Sequence, residues 1–333
     1  MNALVLGGSG LIGNAIVREF VSRGHRVIAV GRASEPPANL TELDVDYVSA
    51  DLDSTGLPED RLEGVGVVVD AAAPYALQMF GRDADGGAVE RAERRTEHLL
   101  RSLHGRNLRF VYIGTSTKPR RSMPLFGIQN DWARRVHPYF AIKDLVDARI
   151  AEAAAGGLRA LTIRPTFCTG PWDVKPRDKC WIPALIEGKV LITPEHRLNV
   201  VDTRDVAKVL VSAIETGYSA SELAVVGHNT TVDGLFSLVC ESAAVERPMF
   251  KAPAALGVLP SLWLEAALAA AGRESPLPSI LPILICEQDW LQPGTAQREL
   301  GGAPRALAET VNDAVAWYRR IGYVRVSSGL GVR

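Results

Sequence analysis

The sequence has few of the features that mark metal centres, disulfide-bonded scaffolds and nucleic-acid-binding proteins. Its four cysteines form no C-x-x-C pair and lie far apart, at Cys168, Cys180, Cys240 and Cys286. This pattern predicts reduced thiols in a cytoplasmic protein. The six histidines form no metal-spaced pair with a carboxylate, so we predict no metal site. A formal net charge of −1 provides no general attraction to nucleic acid or to an anionic membrane.

Long hydrophobic runs are also scarce, and no internal repeat or low-complexity linker is present. The apolar start, Leu4–Leu6, is too short for a signal peptide and has no basic lead-in. Residues 252–272 are nearly uncharged, but Pro260 interrupts them and Glu265 lies inside them. We therefore predict two short helices there, and no transmembrane segment. Together with the apolar run 276–286, we expect these residues to form a packed lid.

The sequence begins with a short apolar run, which is followed by glycines three residues apart, Gly7-x-x-Gly10-x-x-Gly13. An amphipathic segment over residues 14–23 comes next, so the pattern predicts strand, tight turn and helix. Such a turn lets a pyrophosphate approach free N–H groups at a helix N-terminus, although some strand-to-helix turns require glycine without any ligand. Signals further along favour a dinucleotide site made by Gly7, Gly10, Leu11, Ile12 and Gly13.

Apolar strands and amphipathic helices alternate through the first half of the chain. Predicted strands cover 25–30, 47–50, 65–70 and 108–113, with a helix over 90–103. This alternation predicts an α/β fold, a doubly wound parallel sheet of the Rossmann type. In a chain of 333 residues, that sheet can share one large domain, or two intimate ones, with a substrate-binding part.

Three loops that follow predicted strands point to the rest of the cofactor site. The second strand ends at Gly31 and Arg32 instead of a carboxylate, and a guanidinium suits a 2′-phosphate, so NADP(H) is favoured while NAD(H) stays possible. Asp51, with Leu52, follows the third strand and either bonds the adenine amino group or caps the next turn. The small side chains of Ala71, Ala72 and Ala73 let the backbone approach a ligand closely.

Hydroxyl and amino groups suited to proton transfer appear after the fifth strand. Thr115 and Ser116 follow it at the carboxyl edge of the sheet, where such folds bind ligands. Tyr139 and Lys143 then lie one turn apart on a predicted helix that runs from Pro138 through Ala155. Because tyrosine has a pKa near 10, we expect the neighbouring ammonium of Lys143 to lower the pKa of Tyr139 toward a catalytic range.

With these motifs in order, the sequence resembles the extended short-chain dehydrogenase/reductase family over nearly its whole length. The resemblance is strongest to the dihydroflavonol reductase-like group, including hopanoid-associated epimerases, at residues 201–207 and 227–231. It implies a catalytic set of Thr115, Tyr139 and Lys143, and it implies that residues 164–171 pass the nicotinamide. The cofactor residues implied there are Pro165, Thr166 and Cys168, and the implied substrate-binding residues are Ser116, Phe167, Trp172 and Arg197.

The resemblance also implies an interleaved organisation. Residues 1–165 and 199–227 would form the NADP-binding Rossmann domain, and 166–198 and 228–333 a smaller C-terminal substrate-binding subdomain with its lid. Family members often form homodimers through helices equivalent to 90–103 and 139–155, so a homodimer is possible.

Departures from the nucleotide-sugar enzymes of the family favour a more apolar substrate. Those enzymes usually place an asparagine where Phe167 stands and a phosphate-gripping arginine where Leu198 stands, although Arg197 is one residue away. A basic cluster, residues 118–121, replaces the usual segment after the catalytic hydroxyl, and either meets an acidic substrate group or forms a solvated loop. We therefore predict an oxidoreductase acting on a carbonyl or secondary alcohol, with a nucleotide-sugar epimerase/dehydratase or a dinucleotide-sensing regulator as the alternatives.

Overall fold

The structure, a computed structural model, describes residues 1–54, 56–80, 87–116, 137–174 and 181–324. Its strands are β1 (Asn2–Leu6), β2 (Arg26–Gly31), β3 (Asp46–Ser49), β4 (Val67–Asp70), β5 (Arg109–Ile113), β6 (Arg159–Pro165), β7 (Phe167–Thr169), β8 (Ile192–Glu195), β9 (Arg197–Asp202), β10 (Glu222–Val225), β11 (His228–Thr231) and β12 (Phe250–Pro253).

The α-helices connect and cover these strands. They are α1 (Leu11–Ser22), α2 (Gly87–Leu103), α3 (Pro138–Ala155), α4 (Trp181–Ile186), α5 (Thr203–Glu215), α6 (Val232–Ala243), α7 (Val258–Ala270), α8 (Ile280–Cys286), α9 (Thr295–Glu299) and α10 (Leu307–Arg320). Short 3₁₀ helices lie at Glu59–Leu62 and Ala254–Gly257.

Seven parallel strands form the central sheet, in the order β10-β6-β5-β4-β1-β2-β3. The strand order reverses between β1 and β4, which leaves a crevice at the carboxyl ends of the strands, where ligands bind in such sheets. The predicted doubly wound parallel sheet is confirmed.

Side chains that alternate along each strand separate two cores on the two faces of this sheet. Ala3 and Val5 face the core that α1 and α5 complete, while Leu4 and Leu6 face the core that α2 and α3 complete. Both faces are thus covered by helices, and this explains why the strands are apolar throughout rather than alternating in polarity.

The remaining elements form a third core beside the carboxyl edge. Strands β11, β9 and β7 make a small mixed sheet, and β12 pairs with β8. Helices α4, α6 and α10 pack their apolar residues together there. The predicted division at 165/166, 198/199 and 227/228 stays a prediction, although β10 does bring the chain back to the central sheet after β9.

Residues 252–272 differ from the prediction of two short helices. The stretch contains the end of β12, a single 3₁₀ turn and one continuous helix, α7. Pro260 does not interrupt that helix because it lies in the first turn, where backbone N–H groups have no intrahelical partner to lose. Among the described residues, no helix combines the length and apolar content that crossing a membrane requires.

Candidate active site

The carboxyl ends of the parallel strands place most of the predicted site residues along one edge of the sheet. Strand register pairs Leu6 of β1 with Val30 of β2 on one side and with Asp70 of β4 on the other. The glycine turn, Arg32 and Ala71–Ala73 therefore leave the sheet at the same level. Thr115 and Ser116 follow β5 at this edge, and the backbone N–H of Ser116 donates to the carbonyl of Pro165 at 3.1 Å.

The glycine turn has no room for side chains at two of its positions. Gly7 has a φ of +74°, and a Cβ there would lie 2.9 Å from the Cβ of Ala72. A Cβ on Gly13 would collide with the carbonyl oxygen of Gly7. Glycine at these positions thus lets the turn close tightly against β4 and the first turn of α1.

Helix α1 begins directly at this turn and offers an anion site. Its N-cap, Gly10, supplies no side-chain hydrogen bond, so the first N–H groups of the helix are free to face a phosphate. Two asparagine side chains hold the turn in shape: Nδ2 of Asn14 donates to the Gly8 carbonyl at 3.3 Å, and Nδ2 of Asn39 donates to the Ser9 carbonyl at 3.0 Å. These features fit the pyrophosphate of a dinucleotide.

The residues that follow β2 and β3 are those expected to bind the adenosine half of the cofactor. Arg32 is exposed and immediately follows β2. Oδ1 of Asp51 accepts a hydrogen bond from the backbone N–H of Asp53 at 3.2 Å. Asp51 therefore caps the turn, which is one of the two roles expected for it. Its contact with adenine stays a prediction, as does that of Leu52.

The candidate catalytic helix, α3, is fixed at its first turn. His137 is its N-cap, and Nδ1 of His137 accepts the backbone N–H of Tyr139 at 3.2 Å. Burial lowers the pKa of His137 to about 4, so this acceptor is a neutral imidazole. Pro138 at the first helical position has a φ already suited to the helix.

The structure brings Thr115 and Tyr139 together. A hydrogen bond joins their side chains at the carboxyl edge of the sheet, and burial raises the pKa of Tyr139 although the bond to Thr115 opposes that rise. We expected the ammonium of Lys143 to lower this pKa, and in the structure it does not. Desolvation is the larger effect, so Tyr139 keeps its proton.

The ammonium of Lys143 is bonded elsewhere. Its Nζ donates to the hydroxyl of Tyr112, on β5, at 3.2 Å, and lies 5.4 Å from the centre of the same ring. Burial lowers the pKa of Lys143 to about 8. At neutral pH the ammonium form therefore still prevails.

A buried ion pair behind Lys143 was missed by the sequence analysis. Asp70 ends β4 and Arg95 lies on α2, with Nη2 to Oδ1 at 2.9 Å and Nη1 to Oδ2 at 3.0 Å. Both side chains are almost fully buried. A signal was available: Asp70 closes an otherwise apolar strand, and Arg95 interrupts the apolar stripe of α2 that includes Ala92 and Leu99.

Two residues after β6 also border the site. The Oγ1 of Thr166 is buried with no hydrogen-bond partner, and such a polar atom at the expected nicotinamide position suits a cofactor amide. Sγ of Cys168 donates to the Thr166 carbonyl at 3.4 Å, and burial raises the pKa of Cys168 to about 12. The thiol is therefore neutral near physiological pH.

Three aromatic side chains pack together around Phe167, one of the predicted substrate-binding residues. Phe167 lies 5.9 Å from Trp181 between ring centroids, and Trp181 stacks on Phe236 at 5.4 Å. Leu198 is buried in the same cluster. We call Phe167, Trp181 and Phe236 the aromatic wall; apart from the indole N–H of Trp181, their side chains consist of carbon and its hydrogens.

Arg197 lies outside this wall. It is 61% exposed, its guanidinium lies 4.8 Å from the Trp290 ring, and it pairs with Asp289 at 3.4 Å. Because neighbouring residues of a strand point to opposite faces, Arg197 does not take the place that Leu198 occupies on β9. Its role in substrate binding stays a prediction.

Trp172 is held between two guanidinium groups. The guanidinium carbon of Arg18 lies 4.4 Å from the centre of the Trp172 ring, and the guanidinium carbon of Arg204 lies 5.8 Å from it. Its backbone has a φ of +78° and its carbonyl accepts Nδ2 of Asn39 at 2.6 Å. These contacts join Trp172 to α1 and α5, and its predicted contact with substrate is untested.

Helices α7 and α8 cover the catalytic helix. Val258, Ile280 and Ile283 form a buried cluster with Phe140, and Tyr139 packs against it. The buried carboxylate of Glu265 accepts three backbone N–H groups, from Met79, from Phe80 at 2.8 Å and from Ser279 at 2.7 Å. We call α7 and α8 the lid. The basic residues 118–121 and Cys180 lie outside the described residues.

The sequence signature of the NAD dependent epimerase/dehydratase family matches residues 3–227. The chain belongs to this family. It is therefore an NAD(P)-dependent enzyme of the extended short-chain dehydrogenase/reductase type, which confirms the resemblance seen in the sequence.

Two relatives align with nearly the whole chain. A putative dihydroflavonol 4-reductase of Synechocystis sp. is 25% identical, with 96% of this chain and 95% of the relative covered. Sterol demethylase protein B of Methylococcus capsulatus is also 25% identical, with 97% of this chain and 100% of the relative covered.

Solved structures share the fold. The crystal structure of gox2253 has a TM-score of 0.77 at 24% identity and covers 97% of this chain and 99% of its own. UDP-glucuronic acid 4-epimerase from Bacillus cereus, solved with UDP-glucuronic acid and NAD, has a TM-score of 0.71 at 18% identity, covering 96% of this chain and 100% of its own.

Proposed function

We propose that this enzyme is an NADP(H)-dependent oxidoreductase that reduces a carbonyl group, or oxidises the matching secondary alcohol, in a mainly apolar or amphipathic small molecule. The observation that carries the proposal is the hydrogen-bonded pair of Thr115 and Tyr139, with Lys143 one turn further along α3. This set lies at the same sheet edge as the glycine turn.

Each residue of the set has a distinct role. When bound, the nicotinamide supplies or accepts the hydride. In reduction, Tyr139 donates its proton to the carbonyl oxygen as the carbonyl carbon receives the hydride, and Thr115 donates a hydrogen bond to the same oxygen. Lys143 would hold the cofactor ribose.

Tyr139 is in the protonated form that reduction of a carbonyl requires. Burial raises its pKa, so near neutral pH the group stands ready as an acid rather than as a base. Oxidation of an alcohol requires tyrosinate instead, and the same burial opposes that form.

The remaining cofactor residues would hold the dinucleotide along the sheet edge. The N-terminus of α1 would bind its pyrophosphate, and Thr166 and Cys168 would border its nicotinamide. Arg32 would bind the 2′-phosphate that distinguishes NADP(H), since its guanidinium can form paired hydrogen bonds with phosphate oxygens. No carboxylate follows β2 directly to bind a free 2′-hydroxyl instead.

The substrate preference is supported by the wall of Phe167, Trp181 and Phe236. Burying apolar area against such a wall contributes about 25 cal/mol per Å². The Synechocystis relative is named as a reductase, in agreement with the reductive activity proposed here.

The alternative is a nucleotide-sugar epimerase or dehydratase, for which the same residues oxidise and then reduce the sugar. The likeness to the Bacillus cereus epimerase favours it at the level of fold. Buried Leu198, in place of a phosphate-gripping arginine, favours the apolar substrate. A dinucleotide-sensing regulator would have no need of the Thr115–Tyr139 pair.

We also propose a cytoplasmic homodimer joined through α2 and α3, as the family resemblance implies. Light scattering on the eluted protein would test it: twice the mass of 35.9 kDa is expected, and the mass of a single chain would contradict it.

Replacing Tyr139 by phenylalanine tests the mechanism directly. Carbonyl compounds of graded polarity are screened by following NADPH absorbance, and kcat is then measured on the fastest one. Tyr139→Phe should lower turnover about 10²–10⁴-fold, as the loss of a general acid does, while NADPH binding is retained. Tyr318→Phe, which removes a buried hydroxyl from the third core, is the matched control. Near-full turnover in Tyr139→Phe would exclude the proposed mechanism.

A further inference from the structure

Lys143 and Tyr112 form a contact that the family motif does not explain. Lys143 lies on α3 and Tyr112 on β5, 31 residues apart. The ring of Tyr112 is fully buried, and its hydroxyl accepts a hydrogen bond from the Lys143 ammonium at 3.2 Å. A tyrosine hydroxyl placed in a core requires such a partner.

We propose that Tyr112 is a positioning residue for Lys143: its hydroxyl fixes the ammonium at the sheet edge and keeps it charged. The proposal rests on the proposed function, in which the charged ammonium would hold the cofactor ribose. Tyr112 touches neither substrate nor cofactor in this scheme and acts only through Lys143.

Charged groups from four elements surround the contact. Asp70 on β4 and Asp147 on α3 favour the ammonium, while Arg95 on α2 and Arg164 on β6 oppose it. Each of these charges has a partner of its own, Asp70 with Arg95 and Asp147 with Arg164 at 2.9 Å. Two of these charges thus favour the ammonium and two oppose it, and the hydrogen bond that Lys143 donates to Tyr112 adds to the favourable side.

Tyr112 is suited to this role because it stays neutral. Burial raises its pKa well above the ordinary value, and Asp70, Asp147 and Tyr139 add to the rise while Arg95 opposes it. A neutral hydroxyl accepts a hydrogen bond from the ammonium form of Lys143 without adding another charge to the interior. Such a bond favours the charged form of lysine.

The sign of the expected change follows. Burial already lowers the pKa of Lys143 to about 8. Removing the hydroxyl that accepts from the ammonium lowers that pKa further, so the charge is lost at a lower pH. Because a hydrogen bond to a charged group is among the stronger ones, we expect the midpoint to fall by about one pH unit.

The titration can be observed on the lysine itself. The chain has seven lysines, so labelling lysine with ¹³C at Cε gives a simple NMR spectrum, in which Lys143→Ala identifies the signal of interest. The midpoint is measured in the wild type, in Tyr112→Phe, and in Tyr318→Phe as the control for loss of a buried tyrosine hydroxyl. Tyr112→Phe should lower the midpoint, and Tyr318→Phe should leave it unchanged.

A turnover measurement completes the test. On the carbonyl selected with NADPH, the loss of kcat/KM at high pH should begin at lower pH in Tyr112→Phe than in the wild type. An unchanged Lys143 midpoint in Tyr112→Phe, or an equal fall in Tyr318→Phe, would overturn the proposal. If the wild type reduces no carbonyl, the proposed function fails, and the NMR midpoint still decides the role of Tyr112.

Discussion

At the scale of single residues, Arg32 has the most direct consequence for cofactor choice. It is exposed, it directly follows β2, and no carboxylate stands beside it to bind a free ribose hydroxyl. A phosphate ester at that ribose would give the guanidinium a partner of opposite charge. The proposed preference for NADPH over NADH should therefore depend largely on this one side chain.

Arg32→Ala should weaken NADPH binding about 10–100-fold, the value of one charge-assisted hydrogen-bonded contact. NADH binding should change little because NADH has no 2′-phosphate. Fluorescence titration of both cofactors measures the two effects. Arg247→Ala, which removes an exposed arginine paired with Glu241, serves as the control. Unchanged NADPH affinity in Arg32→Ala, or wild-type NADH affinity equal to that for NADPH, would contradict the assignment.

The placement of the two candidate catalytic residues on one helix was predictable because their relation is local. Tyr139 and Lys143 lie four residues apart, and helical periodicity alone puts them on one face. The partners of these residues were not predictable in the same way. Whether the Lys143 ammonium faces Tyr139 or Tyr112 depends on how α3 packs on β5, and sequence spacing does not contain that information.

At the scale of elements, the lid is attached to the body through one buried carboxylate. Glu265 is fully buried on α7 and accepts N–H groups from residues 79–80 and from Ser279, which precedes α8. In the sequence analysis, Glu265 served only as evidence against a transmembrane segment. The structure gives it a second role, since it joins three separate segments over the catalytic helix.

Glu265→Gln should lower the free energy of unfolding by about 2–3 kcal/mol, because an amide replaces one accepting oxygen with a donor that faces other donors. Urea unfolding measures the loss, and limited proteolysis should show earlier cleavage near residues 271–279. Glu246→Gln, at an exposed glutamate, should alter neither. Equal stability of the two variants would show that the carboxylate does not hold the lid.

Element types were predicted better than element ends. Helix α3 begins and ends at the predicted residues, whereas α1 begins at Leu11 rather than at residue 14, because the helix starts within the glycine turn itself. Residues 252–272 were predicted wrongly for a related reason. A proline signals a break only where the preceding turn already exists, and Pro260 is in the first turn.

At the scale of the whole molecule, the aromatic wall and the lid together predict which ligands stabilise the protein. In the presence of NADPH, apolar ketones should raise the melting temperature by a few degrees, since a ligand at 100 times its Kd adds about 2.7 kcal/mol. Phe167→Ala should lose this shift, whereas Trp263→Ala, on the exposed side of α7, should keep it. Stabilisation by UDP-sugars alone would favour the epimerase alternative.

Strand–helix alternation predicted the central sheet, but it did not predict the last strand that joins the sheet. The seventh strand, β10, lies more than 50 residues beyond β6, to which it pairs. Its four residues, Glu222–Val225, have no pattern that distinguishes an added strand from a loop. Long-range pairing of this kind is decided by the packing of α5 on α1, which only the folded chain shows.

That arrangement has a consequence for how the protein is made. One face of the amino-terminal sheet is covered by α5, and β10 is added beside β6 as the outermost strand. Residues 203–225 therefore complete a unit that begins with β1. During synthesis on the ribosome, apolar surface of the nascent sheet stays uncovered while about 40 intervening residues emerge, at about 5–20 residues per second. We therefore expect that the two halves of the chain do not fold as independent units and cannot be exchanged as such between proteins.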